Sequence, residues 1–106
     1  MRTIKSRGDF ERVFSRGRRQ SDALLRIRVM TCDEGHPGRV AFVAAKRLGN
    51  AVYRNRCKRI LREAAREVGL PLEGHDVILL STPATHDSSP KQVAGALGRL
   101  LKRAGV

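Results

Sequence analysis

Lys46, Arg47, Arg54, Arg56, Lys58, Arg59, Arg62 and Arg66 place eight bases within 21 consecutive positions, against a single acid, Glu63. Wound as a helix at about 100° per residue, Arg54, Lys58, Arg59, Arg62 and Arg66 share one face, with Asn55 among them. An ordinary solvated helix face mixes signs so that pairs form across one turn. A face of nearly unmixed cations repels itself, and a polyanion relieves that repulsion. Arg outnumbers Lys 17 to 5 in the chain, and a guanidinium can fork two N–H donors onto one phosphate or stack on a base. The chemistry this segment offers is therefore binding of nucleic acid, with the amides of Asn50 and Asn55 available to sugar or base edges.

A second pair of residues offers stacking. Phe10 and Phe14 are two of only four aromatic residues, and their spacing puts them on one side of a helix. Aromatics so placed belong to a core or form a platform for unpaired bases. Arg26 and Arg28, on the polar side of a strand, could line the same surface. No catalytic constellation accompanies them. His36, His75 and His86 fall in turns or loops at spacings that imply neither a triad nor a metal cluster, and the ten acids are scattered. Cys32 and Cys57 form no Cys-x-x-Cys pair and are read as reduced thiols.

The elements that must position these residues follow from periodicity and punctuation. Ser6 to Asp9 has the form of a capping box, followed by a short helix whose Phe10, Val13 and Phe14 make one stripe and which Gly17 ends. Leu25 to Met30 alternates as a half-buried strand, and Val40 to Ala45 resumes as a second after a turn-rich segment; these two are expected to pair antiparallel. The basic segment supplies a long amphipathic helix with the stripe Tyr53, Cys57, Ile60, Leu61, Ala64 and Val68, closed by Gly69 and Pro71. Asp76 to Ser81 is apolar on both faces and reads as a covered, central strand. Pro83 to Ser88 is a loop, Ser89-Pro90 starts a last helix carrying Val93, Leu97, Leu100, Leu101 and Ala104, and a further short strand fits at Arg18 to Gln20.

Length and charge bound the whole. With 106 residues, 41% of them hydrophobic, the chain supports one domain spanning 1–106, and its balance of 22 bases to 10 acids gives +12. No apolar run approaches the ~20 residues of a membrane span, and the start Met1-Arg2-Thr3-Ile4-Lys5 leads into charge. A cytoplasmic protein without a membrane partner is expected. DNA is disfavoured because no second helix completes a helix-turn-helix and no dimer seam is visible. A structural RNA-binding protein of ribosomal type remains an alternative on charge and size.

The run Lys46-Arg47-Leu48-Gly49-Asn50-Ala51-Val52-Tyr53-Arg54-Asn55-Arg56-Cys57-Lys58-Arg59-Ile60-Leu61-Arg62-Glu63 resembles the signature of the bacterial ribonuclease P protein subunit, centred on Arg54-Asn55-Arg56. Asp9-Phe10-Glu11-Arg12-Val13-Phe14 is similar to that family's Asp-Phe-x-x-Val-Phe helix. The resemblance implies an α/β (α+β) two-layer sandwich, ribosomal S5 domain 2-like, with a four-stranded mixed sheet in the order α-β-β-β-α-β-α and a left-handed βαβ crossover. It further implies an accessory role in a ribonucleoprotein whose RNA subunit, expected at 1:1, uses Mg²⁺ to remove the 5′ leader of precursor tRNA. No catalytic or metal-binding residue of the protein is implied. By position, Lys46, Arg47, Asn50, Arg54, Asn55, Arg56, Lys58, Arg59 and Arg62 would contact the catalytic RNA, and Phe10, Phe14, Arg26 and Arg28 the single-stranded leader. Ala45 and Thr82 depart from the family's usual Ser and Arg, and the short arm before Ser6 is expected to be mobile without RNA.

Overall fold

The computed structural model describes residues 1–106. Three helices, α1 (Arg7–Arg16), α2 (Ala51–Glu67) and α3 (Pro90–Arg103), accompany four strands, β1 (Arg18–Ser21), β2 (Leu25–Thr31), β3 (Arg39–Val43) and β4 (His75–Ser81), in the order α1-β1-β2-β3-α2-β4-α3. The sheet runs β1-β2-β4-β3. It is mixed: β4 is antiparallel to β2 and parallel to β3.

β4 takes the centre for the reason its composition suggests. Val77, Ile78 and Leu79 are fully buried, so both faces of the strand need cover. One face, with Leu25, Ile27, Val29, Val40, Val77 and Leu79, merges with Leu61, Ala64, Val93, Leu97 and Leu100 of α2 and α3 into a core of 18 buried residues. On the other, Val13 of α1 and Ile78 are buried outside that core. The insertion of β4 corrects the expected pairing of Leu25–Met30 with Val40–Ala45. Those strands are not neighbours; each pairs instead with the strand that has two apolar faces to hide. The second of them also ends at Val43, where the chain turns into a 3₁₀ segment, Lys46–Leu48.

Helix α2 begins at its N-cap Asn50, whose Oδ1 accepts from the Tyr53 N–H at 2.9 Å. Its C-terminus passes through Val68 to Gly69 at φ +87°, a left-handed conformation that glycine adopts without a Cβ penalty. Helix α3 starts with a complete Ser89–Gln92 capping box and Pro90 in its first turn. The capping box expected at α1 is only half present. Ser6 Oγ accepts from the Asp9 N–H at 3.4 Å, but the Asp9 carboxylate turns away to Arg12 and Arg39, since charge-assisted bonds outweigh a neutral N–H. The arm before Ser6 lies along the open edge of β3, with Ile4 N–H on Val40 O and Val40 N–H on Arg2 O.

Arg39 fastens α1 to the sheet. Its Nη1 donates to Asp9 Oδ2 at 2.9 Å, its Nη2 to Asp76 Oδ2 at 2.7 Å and its Nε to Asp76 Oδ1 at 3.3 Å. Asp76 is almost wholly buried. Burial alone would raise its pKa, but the bonds and charge of Arg39, aided by His36, hold it below the ordinary carboxylate value. Asp9 is lowered too, chiefly by its bond from Arg39. A carboxylate depressed in the folded state contributes stability that is whole above the unfolded pKa near 3.9 and is lost as pH falls through the folded value. Asp76→Asn should therefore lower stability at pH 7 by about 3 kcal/mol, since it leaves Arg39 without its buried charge partner. Urea denaturation between pH 7 and pH 2.5 should also show a shallower acid loss for this variant than for the wild type.

Candidate nucleic-acid interface

The basic face of α2 looks outward. Asn55, Arg59, Arg62 and Arg66 are exposed, while Cys57, Ile60, Leu61, Ala64 and Ala65 are buried beneath them. Lys46 and Arg47 extend the face from the preceding 3₁₀ segment, and Asn50 marks the joint between the two. Of the 22 Lys and Arg residues, only Arg7, Arg12, Arg39 and Arg99 pair with a carboxylate. None of these four lies on α2. Even Glu63, one turn from Arg59 and Arg66, forms no ion pair with either.

Several residues of the basic segment carry a second duty. Asn50 uses its side-chain oxygen as the helix cap, which leaves only its NH₂ for a ligand. Arg56 lies on the flank of α2 away from Arg62 and donates its Nε to the His86 carbonyl at 3.2 Å, so its two terminal nitrogens remain for phosphate. Arg54 and Lys58 are half-buried on the opposite flank, and the Arg54 Nε is shielded from water without an acceptor. Arg62 lies over the Phe42 ring, 5.3 Å from its centroid, which holds the guanidinium in place by cation–π attraction.

The N-terminal turn of α2 is braced by a contact that sequence spacing did not foresee. Tyr53 stacks on His86 with centroids 4.1 Å apart and planes within 3°, and its hydroxyl reaches Pro83 O at 3.4 Å. Gly49 is required here: a Cβ would sit 2.9 Å from Tyr53 Cγ. The loop carrying His86 is itself anchored by buried Thr82 and Thr85, whose hydroxyls donate to Ala23 O and Leu24 O at 2.6 Å each. Thr82, where the resemblance leads one to look for Arg, is thus a structural bond donor at the end of β4.

The second surface lies on the sheet face that α1 only partly covers. Phe10 and Phe14 stack on one another with centroids 5.9 Å apart, and Phe14 is 37% exposed, so the buried member of that helix stripe is Val13 alone. The Arg28 guanidinium sits over the Phe14 ring, 4.5 Å from its centroid, and Arg26 stands exposed two residues before it. Phe10, Phe14 and Arg28 are therefore brought together as a platform, with Arg26 beside it.

The structure also gathers what spacing scattered. Cys32, His36 and Asp76 approach within 4.8 Å of one another, a set of donors that could ligate a metal. Both Asp76 oxygens are held by Arg39, and burial followed by the charge of Asp76 pushes the Cys32 thiol up, away from the thiolate a metal requires. No helix is long and apolar enough to cross a membrane.

Comparison with known proteins decides the family. The Ribonuclease P family model matches residues 1–105. The chain belongs to the ribonuclease P protein family. The Ribonuclease P protein component of Gluconacetobacter diazotrophicus is 39% identical over 105 residues, covering 97% of this chain and 90% of that protein. That of Symbiobacterium thermophilum is 34% identical over 104 residues, again 97% of this chain and 90% of the relative. Among solved structures, the Staphylococcus aureus RNase P protein superposes with a TM-score of 0.80 at 27% identity, covering 98% of this chain and 95% of that one. The Thermotoga maritima RNase P protein shares the fold, with a TM-score of 0.78 at 24% identity over 97% of each chain. The α+β fold with its mixed four-stranded sheet is that of these proteins. Ribonuclease P is the ribonucleoprotein that processes tRNA 5′ leaders, and its protein is the accessory subunit to an RNA. Against that RNA, replacing Arg54, Arg56 and Arg62 together by Ala should weaken binding by several kcal/mol. The slope of log K against log salt, measured by filter binding, should become shallower by about three units, near one per lost phosphate contact.

Proposed function

We propose that α2 and the 3₁₀ segment before it bind the ribonuclease P RNA, one protein to one RNA, while the platform on the opposite part of the molecule holds the 5′ leader of precursor tRNA. The observation that carries the reading is the stacked pair of aromatics on α1, Phe14 exposed and Phe10 half-buried, with Arg28 laid over Phe14. A leader of no fixed sequence offers only base faces and phosphates, and a stacking platform flanked by guanidinium groups binds both whatever the bases are. The α2 face supplies the larger electrostatic term. Lys46, Arg47, Arg54, Asn55, Arg56, Lys58, Arg59 and Arg62, with the Asn50 amide, displace counterions from a folded RNA of high charge density.

In this reading the protein performs no bond cleavage. Of the carboxylates on α1 and on the strand beneath it, Asp9 and Asp76 are committed to Arg39 and Glu11 pairs with Arg7, which makes them poor Mg²⁺ ligands in that state. Mg²⁺ belongs with the RNA subunit. The protein's part is to add binding energy to the leader, positioning the scissile bond, and to supply fixed cations near closely packed phosphates that the RNA alone must screen with Mg²⁺.

Phe10→Leu together with Phe14→Leu keeps apolar cover over Ile78 and removes the stack. With the reconstituted holoenzyme, affinity for leader-bearing precursor should fall by ~1–3 kcal/mol per lost stack while affinity for mature tRNA stays constant. An equal loss for both would contradict the leader assignment.

A further inference from the structure

The N-terminal end of α2 carries three features that phosphate binding leaves unexplained. Val52 is 79% exposed; of the other two exposed large apolar side chains, Met1 is the chain end and Phe14 belongs to the platform on α1. At about 100° per residue Val52 falls between Arg56 and Arg59 on the outward face, where a solvated helix carries polar groups. The second feature is His86. Its ring centroid lies 4.1 Å from that of Tyr53 with the planes within 3°, a contact that excludes water from the shared side. The side chain is nevertheless 28% exposed, so its open part is the opposite face and the edge. A brace for Tyr53 needs the covered face alone. The third is Arg56, which gives its Nε to the His86 carbonyl while its terminal nitrogens have no carboxylate partner. Val52 and Arg56 are one turn apart on the same side of the helix, so this bond draws the His86 loop to the flank on which Val52 stands.

The ring is held in place before any ligand arrives. Tyr53 backs it, its Nδ1 donates to Asp87 Oδ1 at 3.0 Å, and the Thr82 and Thr85 hydroxyls tie down the loop, so little freedom is left to lose on binding. Since Nδ1 faces a carboxylate, Nε2 is the polar atom offered at the open edge. An acidic peptide satisfies Arg56 but brings nothing flat to lay on the ring. The fitting occupant joins a planar π face to an anion through a short, partly apolar link, which is the construction of a nucleotide. We infer that Val52, Arg56 and the Tyr53–His86 stack form a docking place for one unpaired nucleotide of the ribonuclease P RNA. The base lies on the open face of His86 as the third ring of a column, the sugar against Val52 and the phosphate on the Arg56 terminal nitrogens. The inference rests on the reading that α2 faces that RNA, and adds a base contact to a surface otherwise made of charges. Such a contact depends on the pairing state of the RNA and not on counterion release.

The test compares His86→Phe with His86→Leu in filter binding to ribonuclease P RNA. Both replacements are uncharged and both cover Tyr53, so a difference between them reports stacking rather than charge. The Leu variant should bind the RNA about ten-fold more weakly than the Phe variant, the worth of one base–aromatic stack. The two should share one slope of log K against log salt, and a fully paired RNA duplex, which offers no free base, should not tell them apart. The chain has no tryptophan, so His86→Trp adds a single fluorophore, whose emission ribonuclease P RNA should quench and the duplex should not. Equal affinity of the Phe and Leu variants for the RNA overturns the docking place, as does His86→Trp emission that the RNA leaves unchanged. A Phe-to-Leu difference that the duplex reproduces also overturns it, because His86 then only braces α2. Should the Arg54, Arg56 and Arg62 triple variant lose RNA binding while the Phe and Leu variants bind alike, the docking place alone fails. Should that triple variant bind normally with an unchanged salt slope, the α2 reading fails and takes the docking place with it.

Discussion

One guanidinium holds the molecule's working surface in register. Arg39, on the edge strand, reaches Asp76 at the start of the central strand and Asp9 in the first turn of α1, and so ties that helix to two strands already paired with each other. A buried carboxylate without a partner would be too costly to keep, and a planar cation with donors on two sides satisfies it while leaving donors for a second acid. The result sets the azimuth of α1: Val13 turns down and is buried, and Phe10 and Phe14 are left half outside. The aromatic platform is thus a consequence of an ionic clamp placed at one end of the same helix.

The distribution of charge around that clamp divides labour within the fold. Acids that form ion pairs do so with bases of α1, β3 and α3. α2 and the β1–β2 ribbon are left without neutralisation. Such segregation costs self-repulsion in the free protein, and the dense hydrophobic packing of α2 against the sheet and α3 supplies the stability that offsets it. It also produces two cationic surfaces of different texture. The α2 surface is an array of long side chains on a rigid helix, suited to the grooves and phosphates of a folded RNA. The sheet surface mixes rings and guanidinium groups in a recess, suited to a single strand.

What the residues foretold and what they did not separate along physical lines. The α2 helix, its buried stripe and its basic face were legible because helical periodicity is local. The central position of Asp76–Ser81 was legible because a strand that is apolar on both faces must be covered twice. Which strand lies beside which is a contest among distant segments, and so the antiparallel pairing expected for the Leu25 and Val40 strands gave way to β4. The cap at Ser89 was readable as a type, whereas that at Asn50 was not, and Asp9 forsook its local bond for a charge 30 residues away. The contribution of Arg39 was hidden for the same reason: it looks like an ordinary strand residue until the register sets it beside Asp76. The Tyr53–His86 stack, which steadies the N-terminal turn of α2, likewise joins residues that no motif connects.

The central claim is that this chain supplies binding energy and fixed positive charge to a catalytic RNA and performs no chemistry of its own. It is tested most directly by cleavage of precursor tRNA at low Mg²⁺ by a bacterial ribonuclease P RNA, with and without the protein, beside the protein alone. The account predicts that RNA alone is nearly inactive, that adding the protein restores accurate removal of the leader, and that the protein alone cleaves nothing. Cleavage by the protein alone, or no response of the RNA to the protein, would contradict it.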